Sequence, residues 1–268
     1  RLNTFLRTNL KMKESIFNEK NGAVYRNLAL FGPNGSGKRM FAQEMAHFAR
    51  MDFYEIQWSA FNKFSQDGAA VQAIDKFFKH DLHASPNGAV IYIDNAQLLF
   101  SDMRPSVGSG ATHATQVIDA LIAHTEVRSP KYMVIFGMTV KPTLSRDILP
   151  IVDDVVEITL PGLTERKAIL KTYRDLYFKP SIVQEPIIEA VQKYLQDSAL
   201  DTIAAKLDKA SAAELEGFMK TLKIEAELPV SDGLTPELIS SLLERTMSRY
   251  DDLANFDVYE LNSPSLGR

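Results

Sequence analysis

Gly32-Pro33-Asn34-Gly35-Ser36-Gly37-Lys38-Arg39 is the stretch on which the fold turns. It follows the apolar run Leu28-Ala29-Leu30-Phe31 and opens an amphipathic segment from Met40 to Ala49. That is the strand, loop and helix that a phosphate-binding loop requires. Glycines let backbone N–H groups turn inward on phosphate oxygens, and the helix start adds the positive end of its dipole. Lys38 brings a point charge to the β- and γ-phosphates. The candidate nucleotide-binding residues are Gly32, Pro33, Asn34, Gly35, Ser36, Gly37, Lys38, Arg39 and Met40, joined below by Asp94. A glycine-rich turn with a surface lysine is the plainer alternative.

Such a loop normally places Ser or Thr after its lysine, because the hydroxyl holds the magnesium that bridges the terminal phosphates. Arg39 has five donors and no acceptor, so it ligates no cation and repels one placed beside it. Its guanidinium suits phosphate oxygens instead. The sequence therefore predicts ATP or ADP held with weakened or absent magnesium dependence, and no metal ligand set. The competing outcome is an Arg39 turned out to solvent, with the metal held through water.

The chain has 268 residues, 45% of them apolar and 24% charged, enough for one domain with a lid or two small domains. No apolar run is long enough to cross a bilayer. A net charge of −4 gives no general reason to expect a nucleic-acid partner. The absence of cysteine excludes disulfides, thiolate zinc sites and thiol catalysis. His80 and His83 stand near Asp81 but have no partner pair elsewhere, so they read as a solvated helix end. The chain begins at Arg1 without methionine, which predicts a fragment or a processed product.

Residues 1–21 are polar, with Leu2, Phe5, Leu6 and Leu10 suggesting a leading helix. Short apolar runs at residues 28–31, 53–56, 90–93, 133–136 and 155–158 read as strands buried on both faces. Helical patterns at 39–50, 69–82 and 115–127 alternate with them, which makes a parallel sheet wrapped by helices. After Leu160-Pro161-Gly162 the pattern turns wholly helical, over 164–177 and about 182–196, 201–208, 211–228 and 235–253. Thr235-Pro236-Glu237 is a clear helix start. The expected organisation is a lead-in at 1–21, a nucleotide-binding α/β domain at 22–161, and a helical lid with a tail at 162–268.

Val90-Ile91-Tyr92-Ile93-Asp94-Asn95 is an apolar strand ending in an acidic residue, the form of a Walker B element. Asp94 would orient a metal-bound water; an acidic residue capping a buried strand is the alternative. ATP hydrolysis in this architecture uses a glutamate next, to polarise the attacking water. Asn95 is one methylene shorter and accepts no proton at neutral pH. General-base assistance is worth about 10²–10⁴ in rate.

Together these residues resemble the AAA+ ATPases, and within them the mitochondrial ATPase family AAA domain-containing 3 group. The likeness runs from about Asn21 to Leu253, clearest in Val24 to Leu28, Lys38 to Asp52, Gly88 to Ala96 and Leu160-Pro161-Gly162. It implies an αβα sandwich with a five-stranded parallel sheet and a C-terminal helical lid, and a mitochondrial setting. It also implies that Asn95 stands for the catalytic glutamate, Thr139 for sensor 1, Ile151 for the arginine finger and Ala213 for sensor 2. Arg146 is a nearby candidate for a displaced finger. The aromatics Phe61 and Phe64 in Trp58 to Gly68 stand where the family carries a pore loop, and Ser101 to Thr112 reads as a connector.

Arg39, Asn95, Thr139, Ile151 and Ala213 all depart from groups that touch the terminal phosphate, metal or attacking water, while the cradle is kept. An arginine finger alone is worth about 10³–10⁵ in rate. The expectation is an AAA+ pseudo-ATPase that keeps a nucleotide and serves as a structural subunit or assembly factor among protein partners in a larger mitochondrial complex. Loss of the finger argues against a homohexamer. The alternatives are a working ATPase, slow or completed in trans by a neighbour, and a domain that has lost nucleotide and whose Arg39 pairs with a protein carboxylate.

Overall fold

A computed structural model of the chain describes residues 25–57, 68–99, 113–139, 151–228 and 233–262. The leading helix at 1–21, the aromatics Phe61 and Phe64, the connector at 101–112 and Arg146 lie outside those residues. The chain divides into two compact units at Thr159 and Leu160.

The first unit is built on five strands, β1 (Leu28–Phe31), β2 (Asp52–Gln57), β3 (Ala89–Asp94), β4 (Tyr132–Met138) and β5 (Asp154–Glu157). They form one parallel sheet in the order β2-β3-β4-β1-β5. Helices α1 (Lys38–Ala49), α2 (Ala69–Lys76) and α3 (His113–Glu126) make the crossovers. One face of the sheet packs Leu28, Leu30, Val90, Tyr92 and Ile135 against Ala42, Met45 and Ala46 of α1. The other packs Ala29, Ile91, Ile93, Val134 and Phe136 against α2 and α3 residues such as Ile74, Val117 and Leu121.

Strands β1, β3 and β4 are buried on both faces, as their continuous apolar runs predict. For β2 and β5 that expectation fails: they are the sheet edges, with mostly half-exposed residues. The predicted helix over 69–82 stops at Lys76 and passes into a π-helical turn, Phe77–Asp81, and a short 3₁₀ turn, Leu82–Ala84. There Phe77 packs edge-on to Tyr54, while Phe78 stacks on His124 at 4.8 Å.

The second unit is all helical: α4 (Leu163–Tyr177), α5 (Glu185–Tyr194), α6 (Asp197–Lys206), α7 (Ala212–Ala226) and α8 (Pro236–Asn262). Ser211 and Glu214 cap α7 reciprocally, Ser211 Oγ accepting from Glu214 N–H and Glu214 Oε2 accepting from Ser211 N–H at 2.7 Å. Thr235 caps α8 through Leu238 N–H, with Pro236 at the first helical position. Leu170, Leu200, Leu215, Phe218, Met219 and Leu222 form the core. The helix expected at 201–208 starts earlier, at Asp197, whose carboxylate accepts from Lys171 and Arg174. The preceding one ends at Tyr194 because Leu195 turns fully into the core.

Candidate functional site

Parallel register brings the C-terminal ends of the strands to one rim: Phe31 stands beside Met138 and Glu157, and Gln57 beside Asp94. The loop after β1 is tied into that rim. Gly32 N–H donates to Met138 O at 3.1 Å, and Ile158 N–H donates back to Phe31 O at 2.8 Å. Only glycine fits at position 32, where φ is +156° and a Cβ would lie 2.0 Å from the Ile158 carbonyl oxygen. Gly37, at φ +96°, makes the left-handed step that starts α1.

Behind the rim, Asn27 holds three segments at once. Its amide donates to Thr125 O and Ile151 O, each at 3.1 Å, and its Oδ1 accepts from Val134 N–H at 3.0 Å. The Asn27 N–H donates to Asp153 Oδ2 at 2.6 Å, and Arg128 Nε donates to the same oxygen. A buried amide that satisfies α3, β4 and the approach to β5 fixes where the loop begins.

Lys38 is 7% exposed, and its ammonium donates to Gly32 O at 2.7 Å and Pro33 O at 2.8 Å. Burial pulls its pKa below the usual lysine range, with the charge of Asp94 opposing the shift. Beside it, Ser36 Oγ is buried without a hydrogen-bond partner, one of two such side-chain atoms among the described residues; the other is Gln97 Oε1. An orphaned hydroxyl and a buried lysine fit a polyphosphate, whose oxygens accept from both. Pro33, Asn34 and Gly35 are exposed on the loop, and Met40 is 56% exposed on α1.

Arg39 neither turns freely to solvent nor lies alone. Its Nε donates to Glu55 Oε2 on β2 at 2.7 Å, with side-chain exposures of 61% for Arg39 and 18% for Glu55. This pairing differs from the expected contact with phosphate oxygens and is the one expected of a domain that has lost nucleotide. Asp94 accepts from Tyr92 Oη at 2.9 Å on Oδ1 and from Asn95 Nδ2 at 3.3 Å on Oδ2. Burial first, then the Asp94 charge and hydrogen bond, push the Tyr92 phenol well above its usual range, so it stays a donor. Asn95 has φ +56°, a left-handed conformation that asparagine tolerates better than glutamate does. A divalent ion fits this set poorly at one position, where Arg39 offers no lone pair in place of a Ser or Thr hydroxyl.

Thr139 follows β4, half-buried, directly after Met138. Ile151 is 1% exposed and packed in the core, with its carbonyl bound to Asn27, so its side chain does not project outward. Ala213 lies in the first turn of α7, in the second unit, beside a groove of about 500 Å³ lined by Gly217, Phe218, Leu242, Arg245 and Arg249. Glu55, Tyr92 and Gly137 are site residues that sequence reasoning missed. A Cβ at position 137 would stand 2.1 Å from Tyr92 Oη, so this glycine makes the space in which the phenol reaches Asp94. Their signals were a charge within the run Phe53 to Ile56, a tyrosine two residues before Asp94, and a glycine inside a strand.

A parallel sheet in this order, with a phosphate loop after β1 and an acidic residue at the end of β3, defines a P-loop nucleotide-binding domain of the AAA+ type. Residues 28–160 match the family described as ATPase family associated with various cellular activities (AAA), so the chain carries an AAA domain. It is distantly related to ATPase family AAA domain-containing protein 3. The Drosophila melanogaster 3A homolog is 29% identical over 178 residues, covering 66% of this chain and 28% of that protein. The Caenorhabditis elegans protein is 28% identical over 155 residues, 58% of this chain and 25% of that one. Human 3A is 26% identical over 175 residues, 65% and 28% respectively. The chain thus spans little more than a quarter of the relatives it matches. The AAA domain implies nucleotide binding. Among the described residues no helix is long and apolar enough to cross a membrane, and no cluster of three or more acidic or histidine residues is placed to hold a metal.

Proposed function

We propose that this protein is an AAA+ pseudo-ATPase: it holds a nucleotide, does not turn it over at a useful rate, and acts as a structural subunit or assembly factor within a larger mitochondrial complex. The observation that carries this reading is one loop with two fates, a retained cradle at Gly32, Ser36 and Lys38 next to Arg39 paired with Glu55. Lys38 exchanges its two carbonyl partners for phosphate oxygens, and Ser36 Oγ gains the acceptor it lacks. Asn95 offers no base, and its left-handed backbone disfavours one. A ligand that binds only the folded chain stabilises it by about 4 kcal/mol at a thousandfold excess over Kd, so a nucleotide serves such a protein without being cleaved. The mitochondrial setting and the assembly role rest on the family likeness.

A second reading, an ATPase that is slow or completed in trans, is favoured by retained Asp94 and by the word ATPase in the relatives' names. Two measurements separate these. Nucleotide released on heat denaturation of the purified protein is expected in near-stoichiometric amount. Single-turnover hydrolysis at micromolar enzyme is expected to be no faster for the parent than for Lys38→Met. Clear Lys38-dependent turnover would remove the pseudo-ATPase reading, and an empty protein that takes up no added nucleotide would remove the nucleotide itself.

A further inference from the structure

Arg39 at the start of α1 is tied to Glu55 on β2. Glu55 stands beside Tyr92 in the β2 and β3 register, and Asp94 beside Gln57 two residues on. Side chains two apart share a face, so Glu55, Tyr92 and Asp94 all line the α1 side of the sheet, below the start of that helix. Among the described residues, the charged groups gathered there are Lys38 and Arg39 against Glu55 and Asp94, two cations and two anions. A β-phosphate is met by loop amides and Lys38, which carry the positive field of the helix start. A triphosphate carries about one more negative charge than a diphosphate at neutral pH, and its γ-phosphate brings that charge toward the acidic strand ends. In an ordinary site a divalent ion offsets it; here a guanidinium without a lone pair occupies the residue position that would ligate the ion, and Glu55 holds its Nε.

We infer that this site selects a metal-free nucleoside diphosphate over the triphosphate, and that Glu55 sets the preference by holding Arg39. The inference rests on the nucleotide-binding reading above. Glu55 acts here as a positioning residue: it accepts from Arg39 Nε at 2.7 Å and draws the guanidinium toward β2. Magnesium does not restore the triphosphate, because the residue after Lys38 offers it no lone pair.

The test is titration calorimetry on the intact protein, stripped of nucleotide, with ADP and with ATP, each in excess EDTA and in excess magnesium. Unit charges within a few ångströms of a phosphate shift affinity by about tenfold or more at an effective dielectric near 20. ADP is therefore expected to bind at least about tenfold more tightly than ATP in EDTA, with magnesium moving either affinity by no more than about threefold. Glu55→Gln, which releases the guanidinium, is expected to narrow the ADP to ATP ratio by about tenfold through tighter ATP binding. Arg39→Ser, which returns a hydroxyl, is expected to make ATP affinity magnesium-dependent. Equal or tighter ATP binding in EDTA, a tenfold gain of parent ATP affinity with magnesium, or an unchanged ratio in Glu55→Gln overturns the inference while leaving nucleotide binding intact. Failure of the parent to bind either nucleotide removes the underlying reading as well. Melting temperatures of both variants within a few degrees of the parent show that the ratio reports the site and not the fold.

Discussion

Substituting Gly137 by alanine tests whether the end of β3 is built as described. The added Cβ would stand 2.1 Å from Tyr92 Oη, 2.5 Å from Cζ and 2.7 Å from Cε2. Bringing the first of these to an ordinary contact of 3.4 Å requires a displacement of about 1.3 Å. Tyr92 is 1% exposed and packed against α1 and β4, so the ring has no open direction in which to move. Overpacking of this kind costs about 1–3 kcal/mol. Pulling the phenol off the Asp94 carboxylate adds about 1.5–3 kcal/mol, the range for a hydrogen bond to a charged group. The expected loss is therefore about 3–5 kcal/mol, at the upper end of single-residue effects. Urea denaturation followed by far-UV circular dichroism measures it. Repeating the substitution in a Tyr92→Leu background removes the hydroxyl and the ring atoms together, so the penalty of Gly137→Ala should fall below about 1 kcal/mol, a coupling of about 2 kcal/mol or more. A Gly137→Ala protein within about 0.5 kcal/mol of the parent, or an equal penalty in both backgrounds, refutes the reasoning.

Two further outcomes follow from other parts of the molecule. Asn27→Leu strips hydrogen bonds from Val134 N–H and from the Thr125 and Ile151 carbonyls, and should lower stability by about 3–5 kcal/mol; a loss under about 1 kcal/mol in the same urea assay contradicts the pinning role. In the helical unit, Tyr173 and Tyr177 both donate to the Glu216 carboxylate, and burial followed by that carboxylate raises both phenols from 10.0 to about 12. Because the unfolded chain loses these protons first, the stabilisation is complete below pH 10 and declines as pH rises toward 12. Alkaline melts of Tyr173→Phe/Tyr177→Phe should show a shallower decline over that window, and an identical slope would rule the pair out as its source.

Much of the α/β architecture was legible because its determinants are local. Continuous apolar runs fixed β1, β3 and β4, glycine spacing fixed the loop at 32–38, and Pro236 after Thr235 fixed the start of α8. Where tertiary context competes with local pattern, the reading slipped. Phe77 and Phe78 turned a predicted helix into a π turn through contacts with Tyr54 and His124, and Asp197 started α6 early through partners on α4. Edge position, a property of strand order, accompanies the half-exposure of β2 and β5, whose sequences mix apolar and charged residues.

The same division holds at the site. By itself the sequence determined that a cradle is present, that the residue after Lys38 has no lone pair, and that Asn95 stands after Asp94, since these are facts of residue type. Only the tertiary structure decided where the Arg39 charge goes, because Glu55 is distant in sequence and reaches it only when β2 forms alongside β3. It also decided that Asp94 is held by Tyr92 in space cleared by Gly137, and that Asn95 lies at positive φ. Charge pairing and close packing depend on distances between segments, which residue order leaves open until the sheet has closed around them.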